Sequence, residues 1–250
     1  MERHAVYSGT RNLYPDMSTA AKSLVANSSV DVVHFLVEDA QFPDKLPDIV
    51  ELHDVSGQGW FPKDGPNIRS RFSYMALLRV CYTKIMPDVD LVLQLDVDTV
   101  CVDGVDGVWD TDLRGQWCAM CDEVLGTFKP YGPRYYNAGV ALMDLKRMRE
   151  DGADDQLVAF LNAREVPYVD QDAFNYFHRI ADMDPRYNEC FVTGYSETPA
   201  IVHFAGIKDW QTSRRAARRE YVRKYREMTW DEALELHAAH VEARRLACAS

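Results

Sequence analysis

Asp96 and Asp98 stand one residue apart within an otherwise apolar run, Leu91 to Cys101 (LVLQLDVDTVC). A run of that kind, bounded by polar segments, predicts a buried strand. Residues two apart on a strand share a face, so both carboxylates are expected on one side of its end. Crowded acids repel each other unless a cation, a basic side chain or a proton intervenes. Hard oxygen ligands suit Mg2+ or Mn2+, ions that usually complete their shells with phosphate oxygens. The pair therefore predicts a metal–diphosphate site. His203, in HFAGIK, could add an imidazole to a transition ion such as Mn2+, and Lys208 could neutralise a diphosphate. A lone histidine after a strand is more often structural, and the carboxylate pair is what gives this one weight.

Other polar residues call for partners. Arg79 is the only charge in the centre of SYMALLRVCY. An unpaired buried cation is costly, so Arg79 needs an anion: a strand aspartate, another core carboxylate, or a bound phosphate or ribose region. Asn137-Ala138-Gly139 precedes a strand. Its amide suits a sugar hydroxyl and its glycine allows close approach, although an ordinary turn uses the same residues. Asp170-Gln171-Asp172 opens a helix, where Asp commonly caps. Three polar groups in succession exceed what a cap requires and point to substrate contact.

The elements that must position these residues alternate. Strands are expected at His4–Ser8, Val30–Val37, Leu91–Cys101, Trp117–Cys121, within Tyr135–Asp144 and at Ile201–Phe204. Helices are expected at Ser18–Val25, Leu157–Ala163 and Asp172–Ile180, with a buried one over Phe72–Ile85 that Pro87 ends. The stretch around Val50–Val55, punctuated by proline and glycine, reads as irregular. This order predicts an α/β fold whose central sheet is mainly parallel, with helices on both faces, over residues 1–212. A helical tail, 213–250, follows. It opens with SRRAARREYVRKYRE, which suits a surface helix drawn to anionic lipid or an acidic partner, or simply a solvated face. Thr229 and Glu232 then form a capping box.

Composition narrows the function classes. The 250 residues are 47% hydrophobic and carry a net charge of −11, which excludes a general nucleic-acid binder. Glu2, Arg3, His4 and Arg11 interrupt the first segment, so no secretory leader is expected, and no apolar run is long enough to span a bilayer. Six cysteines, including Cys118 and Cys121, are expected as reduced thiols rather than metal or redox ligands. The expected location is cytoplasmic, at most peripheral on the inner face of a membrane.

The ordered blocks VYSGTRNLY with AAKSL, YMALLR, LVLQLDVDTV, YYNAGVALMDLKRMR, VDQDAFNYF, DPRYN and HFAGIKDW span roughly residues 5–210. Together they resemble glycosyltransferase family 8, retaining transferases with the GT-A fold. The resemblance implies a UDP-sugar donor, glucose or galactose, and Mn2+ (or Mg2+) held by Asp96, Asp98 and His203. It implies that Gly206 and Lys208 meet the diphosphate. Arg79, Asn137, Asp170 and Gln171 would surround the donor sugar, with Val97 and Ala138 beside it. Ser8, Gly9, Thr10 and Asn12 would read uridine and ribose. The acceptor would be a glycan, a lipid or a protein; oligomeric state is not encoded. Two departures stand out: Thr10 and Arg11 where the family commonly has an acidic residue, and Lys208-Asp209-Trp210 in place of KPW.

Retention implies either front-face attack beside the leaving phosphate or a covalent intermediate. The weakly basic amide of Gln171 favours the first, with Asp170 or Asp172 as fallback nucleophiles. DVDTV also resembles the aspartate-nucleophile motif of haloacid-dehalogenase-type phosphatases. That motif normally lies near the start of its domain, and here nearly a hundred residues precede it. Further rivals are a degenerate nucleotide-sugar-binding module and self-glucosylation on a tyrosine such as Tyr131 or Tyr135.

Overall fold

The computed structural model describes residues 1–39, 41–43, 45–206 and 216–249, and for 216–218 and 249 the backbone alone. Strands β1 (His4–Gly9), β2 (Val32–Val37), β3 (Val50–Asp54) and β4 (Leu91–Leu95) are joined in parallel. A short strand, β5 (Thr99–Cys101), leaves this sheet, while β6 (Cys118–Asp122), β7 (Tyr136–Asp144) and β8 (Ile180–Asp182) extend it. The order is β3-β2-β1-β4-β7-β6-β8, with β7 antiparallel to both its neighbours and β8 parallel to β6. The sheet is thus mainly parallel, as the alternation of elements predicts. β9 (Ile201–His203) pairs with β5 in a separate antiparallel ribbon.

Each face of the sheet has its own core, which is why the central strands read as continuous apolar runs. On one face Ala5, Tyr7, Phe35 and Leu95 pack under helix α1 (Tyr14–Val25). On the other, Val6, Leu36 and Val92 meet the segment 74–85 and the helices that follow β7. Those helices are α3 (Leu145–Asp151), α4 (Ala153–Ala163) and α5 (Val169–Phe177).

Three expectations are corrected. Residues 72–85 do not form one α-helix: Tyr74–Cys81 is a 3-10 segment, and only α2 (Tyr82–Ile85) is α-helical. Its Ser73 cap and fully buried apolar side chains fix the path through tertiary packing rather than propensity. Val50–Asp54 is an edge strand, not irregular chain, because β2 supplies a complete parallel ladder for it. The run Leu91–Cys101 is two strands, since the chain turns at Asp96 to Asp98 and changes sheets.

The tail is anchored in the first core. Val222 and Tyr225 of α6 (Ala216–Glu227) and Ala233 of α7 (Trp230–Ala249) are buried there. Lys22 Nζ donates to the Met228 carbonyl at 2.6 Å, and Arg226 pairs with Asp16 at 2.8 Å. The capping box forms, with the Thr229 amide donating to Glu232 at 2.7 Å and the Glu232 amide to Thr229 at 3.2 Å. Cys118 and Cys121 are free, buried thiols whose pKa values burial raises. No described helix is long and apolar enough to cross a membrane.

Candidate active site

Asp96 and Asp98 meet on a turn rather than by strand alternation. The Thr99 amide and hydroxyl both donate to the Asp96 carbonyl, at 3.2 and 2.7 Å, which closes the turn. The Phe204 amide donates to the Asp98 carbonyl at 3.0 Å and ties the turn to the end of β9. His203, paired with Thr99 across the ribbon, then faces both acids. Its Nε2 lies 3.5 Å from Asp96 Oδ2 and 3.4 Å from Asp98 Oδ1. These three groups can hold one ion between them.

The imidazole is aimed from behind. Its Nδ1 lies 2.9 Å from Asn188 Oδ1, an acceptor, so Nδ1 donates there and Nε2 is the nitrogen turned to the carboxylates, able to offer a lone pair to an ion once its own proton has left. A hydrogen bond to the second ring nitrogen is the usual orienting device for a metal-binding histidine. The ring also packs against Gly139, where a Cβ would come within 2.0 Å of His203 Cε1. The glycine that sequence assigned to close ligand approach therefore makes room for the histidine. With no cation present, burial alone would lower the His203 pKa, but Asp98 and Asp96 outweigh it and raise it well above the usual value.

From Asn188 a chain of amides runs to the opposite wall. Asn188 Nδ2 donates to Asn137 Oδ1 at 3.0 Å, and Asn137 Nδ2 donates to Glu123 Oε1 at 2.9 Å. Gln171 Nε2 donates to the same Glu123 oxygen at 3.2 Å, while Gln171 Oε1 accepts from the Ala138 amide at 3.0 Å. Both ends of the Asn137 and Gln171 amides are therefore held by protein. Burial raises the pKa of Glu123, partly offset by the two amides. Neither Glu123 nor Asn188 was singled out from sequence. The available signals were an acid just beyond the carboxyl end of a strand and the last residue of DPRYN.

Arg79 finds the anions its burial demands. Its guanidinium pairs with Asp96 and, at 3.0 Å, with Asp170. Burial drives the Asp170 pKa up to about 6, with Arg79 opposing and Asp96 adding. Desolvation of the half-buried Asp96 would raise its pKa, yet Arg79 and His203 hold it below the usual range. Asp172 is turned away from this cluster: it accepts from the Tyr135 hydroxyl at 2.7 Å and from the Tyr168 amide at 2.8 Å. The second bond is a cap at the start of α5, where Val169 takes the strained value φ +35°. Tyr135 is fully buried with its hydroxyl on Asp172, so it is not exposed to be glycosylated.

At the carboxyl end of β1, Ser8 is nearly buried and a Cβ on Gly9 would lie 3.7 Å from Val97. The first loop thus sits against the aspartate turn. Thr10 donates to Asn12 at 2.7 Å, and the Arg11 amide donates to Glu38 at 2.9 Å. The Arg11 side chain pairs with Asp39, so the acids missing from this loop are present beside it at the end of β2. Gly206 follows His203 in the left-handed region at φ +70°. Lys208 lies outside the described residues.

The aspartate turn lies where open α/β sheets bind ligands, beyond the carboxyl ends of β1 and β4. The family pattern described as Glycosyl transferase family 8 matches residues 4–213. The chain belongs to that family. Its fold superposes on the galactosyltransferase LgtC, solved with donor and acceptor sugar analogues, with a TM-score of 0.68 and 21% identity, covering 92% of this chain and 100% of that one. The glycosyltransferase GlyE of Streptococcus pneumoniae matches with a TM-score of 0.69 and 20% identity, over 94% of this chain and 62% of its own. Mouse xyloside xylosyltransferase 1 gives a TM-score of 0.63 at 18% identity, over 82% of this chain and 98% of that one. A Haemophilus influenzae protein, provisionally named a glycosyltransferase, is 24% identical over 126 residues, which is 45% of this chain and 38% of that protein. The chain is thus a glycosyltransferase-family protein of the GT-A type.

Proposed function

We propose that this protein transfers a hexose, glucose or galactose, from a UDP-sugar to an acceptor hydroxyl with retention of configuration. The observation that carries the reading is the convergence of Asp96, Asp98 and His203 with all three ligand atoms within 4.8 Å. The donor set and the fixed position of Nε2 fit a divalent ion, Mn2+ by preference, since imidazole adds affinity for transition ions over Mg2+. When bound there, the ion supplies a Lewis acid that neutralises the charge of a departing diphosphate.

The remaining roles belong to the chain. Arg79 fixes Asp96 and Asp170 and keeps a second positive charge beside the diphosphate position. Its buried Nε–H has no partner within the described residues, so a donor for ligand oxygen is left over. Glu123 clamps Asn137 and Gln171, whose carbonyl and amide dipoles are preorganised toward charge developing on the sugar. Front-face attack is supported by the engagement of the described acids around Gln171: Asp172 by Tyr135 and Tyr168, Asp170 by Arg79, and Glu123 by Asn137 and Gln171. Gln171 is tied at both ends and weakly basic.

The deciding measurement is UDP release from a panel of UDP-sugars with saturating Mn2+, because slow hydrolysis needs no known acceptor. Release from one hexose donor, abolished in Asp98→Asn, is expected. UDP binding without hydrolysis or transfer across many acceptors would identify a binding module instead. Phosphate release from p-nitrophenyl phosphate would favour the phosphatase.

A further inference from the structure

A second constellation lies on the sheet far from the aspartate turn in sequence. His4 on β1, His34 on β2 and His53 on β3 form a row across three adjacent parallel strands, on the same face as Val6 and Leu36. The register places Glu51 directly opposite His34, and His53 two residues further along β3 on the same side. His34 Nδ1 lies 3.0 Å from His53 Nε2 and 3.4 Å from Glu51 Oε2. On the other side, His34 Nε2 lies 3.0 Å from His4 Nδ1, and His4 Nε2 lies 3.1 Å from Glu2 Oε2.

Three neutral imidazoles cannot donate to both terminal carboxylates of this row at once. Each has one N–H and one lone pair. If His4 donates to Glu2, then His34 donates to His4 and presents only a lone pair at Nδ1. That lone pair can accept from His53 but then faces the Glu51 carboxylate with nothing between them. Reversing every proton satisfies Glu51 and leaves the lone pair of His4 against Glu2. A cation between His34 Nδ1, His53 Nε2 and Glu51, where three ligand atoms converge within 4.8 Å, resolves the conflict.

We propose that His34, His53 and Glu51 bind a Zn2+-class transition ion at the edge of the sheet. Two imidazoles and one carboxylate are a donor set that zinc takes with a fourth position open. Ligands about 2.0–2.1 Å from a tetrahedral ion sit about 3.3 Å apart, close to the separations in this cluster. The outer half of the row orients the inner half. His34 Nε2–H donates to His4, whose Nε2–H donates to Glu2, so the lone pair of His34 Nδ1 points at the site. Glu51 is largely exposed on the edge strand, with a relative side-chain exposure of 58%, which gives an ion its entry path. The inference does not depend on the transferase reading.

The test is a Co2+ and Zn2+ titration of the chelator-stripped full chain carrying Asp96→Asn and Asp98→Asn, which removes the acidic site. One Co2+ with visible bands of tetrahedral intensity is expected, displaced stoichiometrically by Zn2+. Adding His53→Gln or Glu51→Gln should weaken that ion at least about tenfold, the loss that even an outer-shell change produces. Both substitutions fall on a partly exposed edge strand, and circular dichroism checks their folding. As a measurement independent of variants, Co2+ added to the wild-type chain with saturating diamagnetic Mg2+ should shift and broaden the ring signals of His34 and His53. No second ion in the wild type, or unchanged Co2+ binding in both variants, overturns the proposal.

Discussion

The two clusters that can hold an ion among the described residues are built from opposite materials. At Asp96, Asp98 and His203 the acids dominate, Arg79 already neutralises part of their charge, and the histidine is raised in pKa by its neighbours. At His34, Glu51 and His53 imidazoles dominate: burial, helped by His53 and His4, pushes His34 down to about 3, and burial lowers His53 also. The first must exchange a proton for its ion; the second has none to expel from His34. Both use the same orienting device, a hydrogen bond on the far ring nitrogen, supplied by Asn188 in one and His4 in the other. Donor chemistry separates a site suited to a hard ion with diphosphate oxygens from one suited to a softer ion held by protein alone.

The largest test of that contrast is Asp98→Asn. Transfer should fall at least about a hundredfold, because the Lewis acid contributes several kcal/mol to the barrier. Co2+ at the histidine row should be unaffected, so near-normal turnover at saturating Mn2+ defeats the acidic-site assignment. Gly139→Ala comes next. The new methyl would overlap His203, so Mn2+ affinity measured by calorimetry should drop more than tenfold, with about 1–3 kcal/mol lost from folding stability. Asn188→Ala frees the imidazole without displacing it and should weaken Mn2+ by about 10–100-fold.

The pH response sharpens the same comparison. His203 is raised in the metal-free protein, so its contribution to stability is full below the unfolded histidine pKa and is lost as pH rises through the folded one. Bound Mn2+ displaces that proton, and its affinity should climb by up to about tenfold per pH unit from pH 6 to 8. Co2+ at the histidine row, with His34 and His53 both lowered, should change far less over that range. Equal slopes at the two sites would erase the distinction.

Residue type made the acidic site legible, and geometry made the rest of it. Two aspartates, a later histidine and a buried arginine announce charge that must be balanced, and they converge. Their route was misread, because strand alternation and a turn give the same proximity from one short motif. Glu123 and Asn188 stayed hidden because each acts through amides distant in sequence, and only the packing of β6, β7 and the loop before β9 brings them together. The histidine row was invisible for a related reason. His4 and His34 are 30 residues apart and His34 and His53 are 19 apart, and only strand register aligns them. The 3-10 path of Tyr74–Cys81 shows the same limit, since apolar content marks burial without fixing the helical period.

The smallest expected effect comes from the far end of the row. Glu2 is exposed, with 63% of its side-chain surface open, and touches the row through His4 alone. Water can replace its carboxylate at His4 Nε2, so Glu2→Gln should weaken Co2+ only a few-fold, less than an outer-shell loss in a buried site. His4→Phe removes the acceptor for His34 Nε2–H and should cost more, since no other described group is recorded at that nitrogen. The order His53→Gln, His4→Phe, Glu2→Gln therefore ranks the row by distance from the ion. If all three weaken Co2+ equally, the row responds as one packed unit to any disturbance, and the directional chain of hydrogen bonds is not what orients His34.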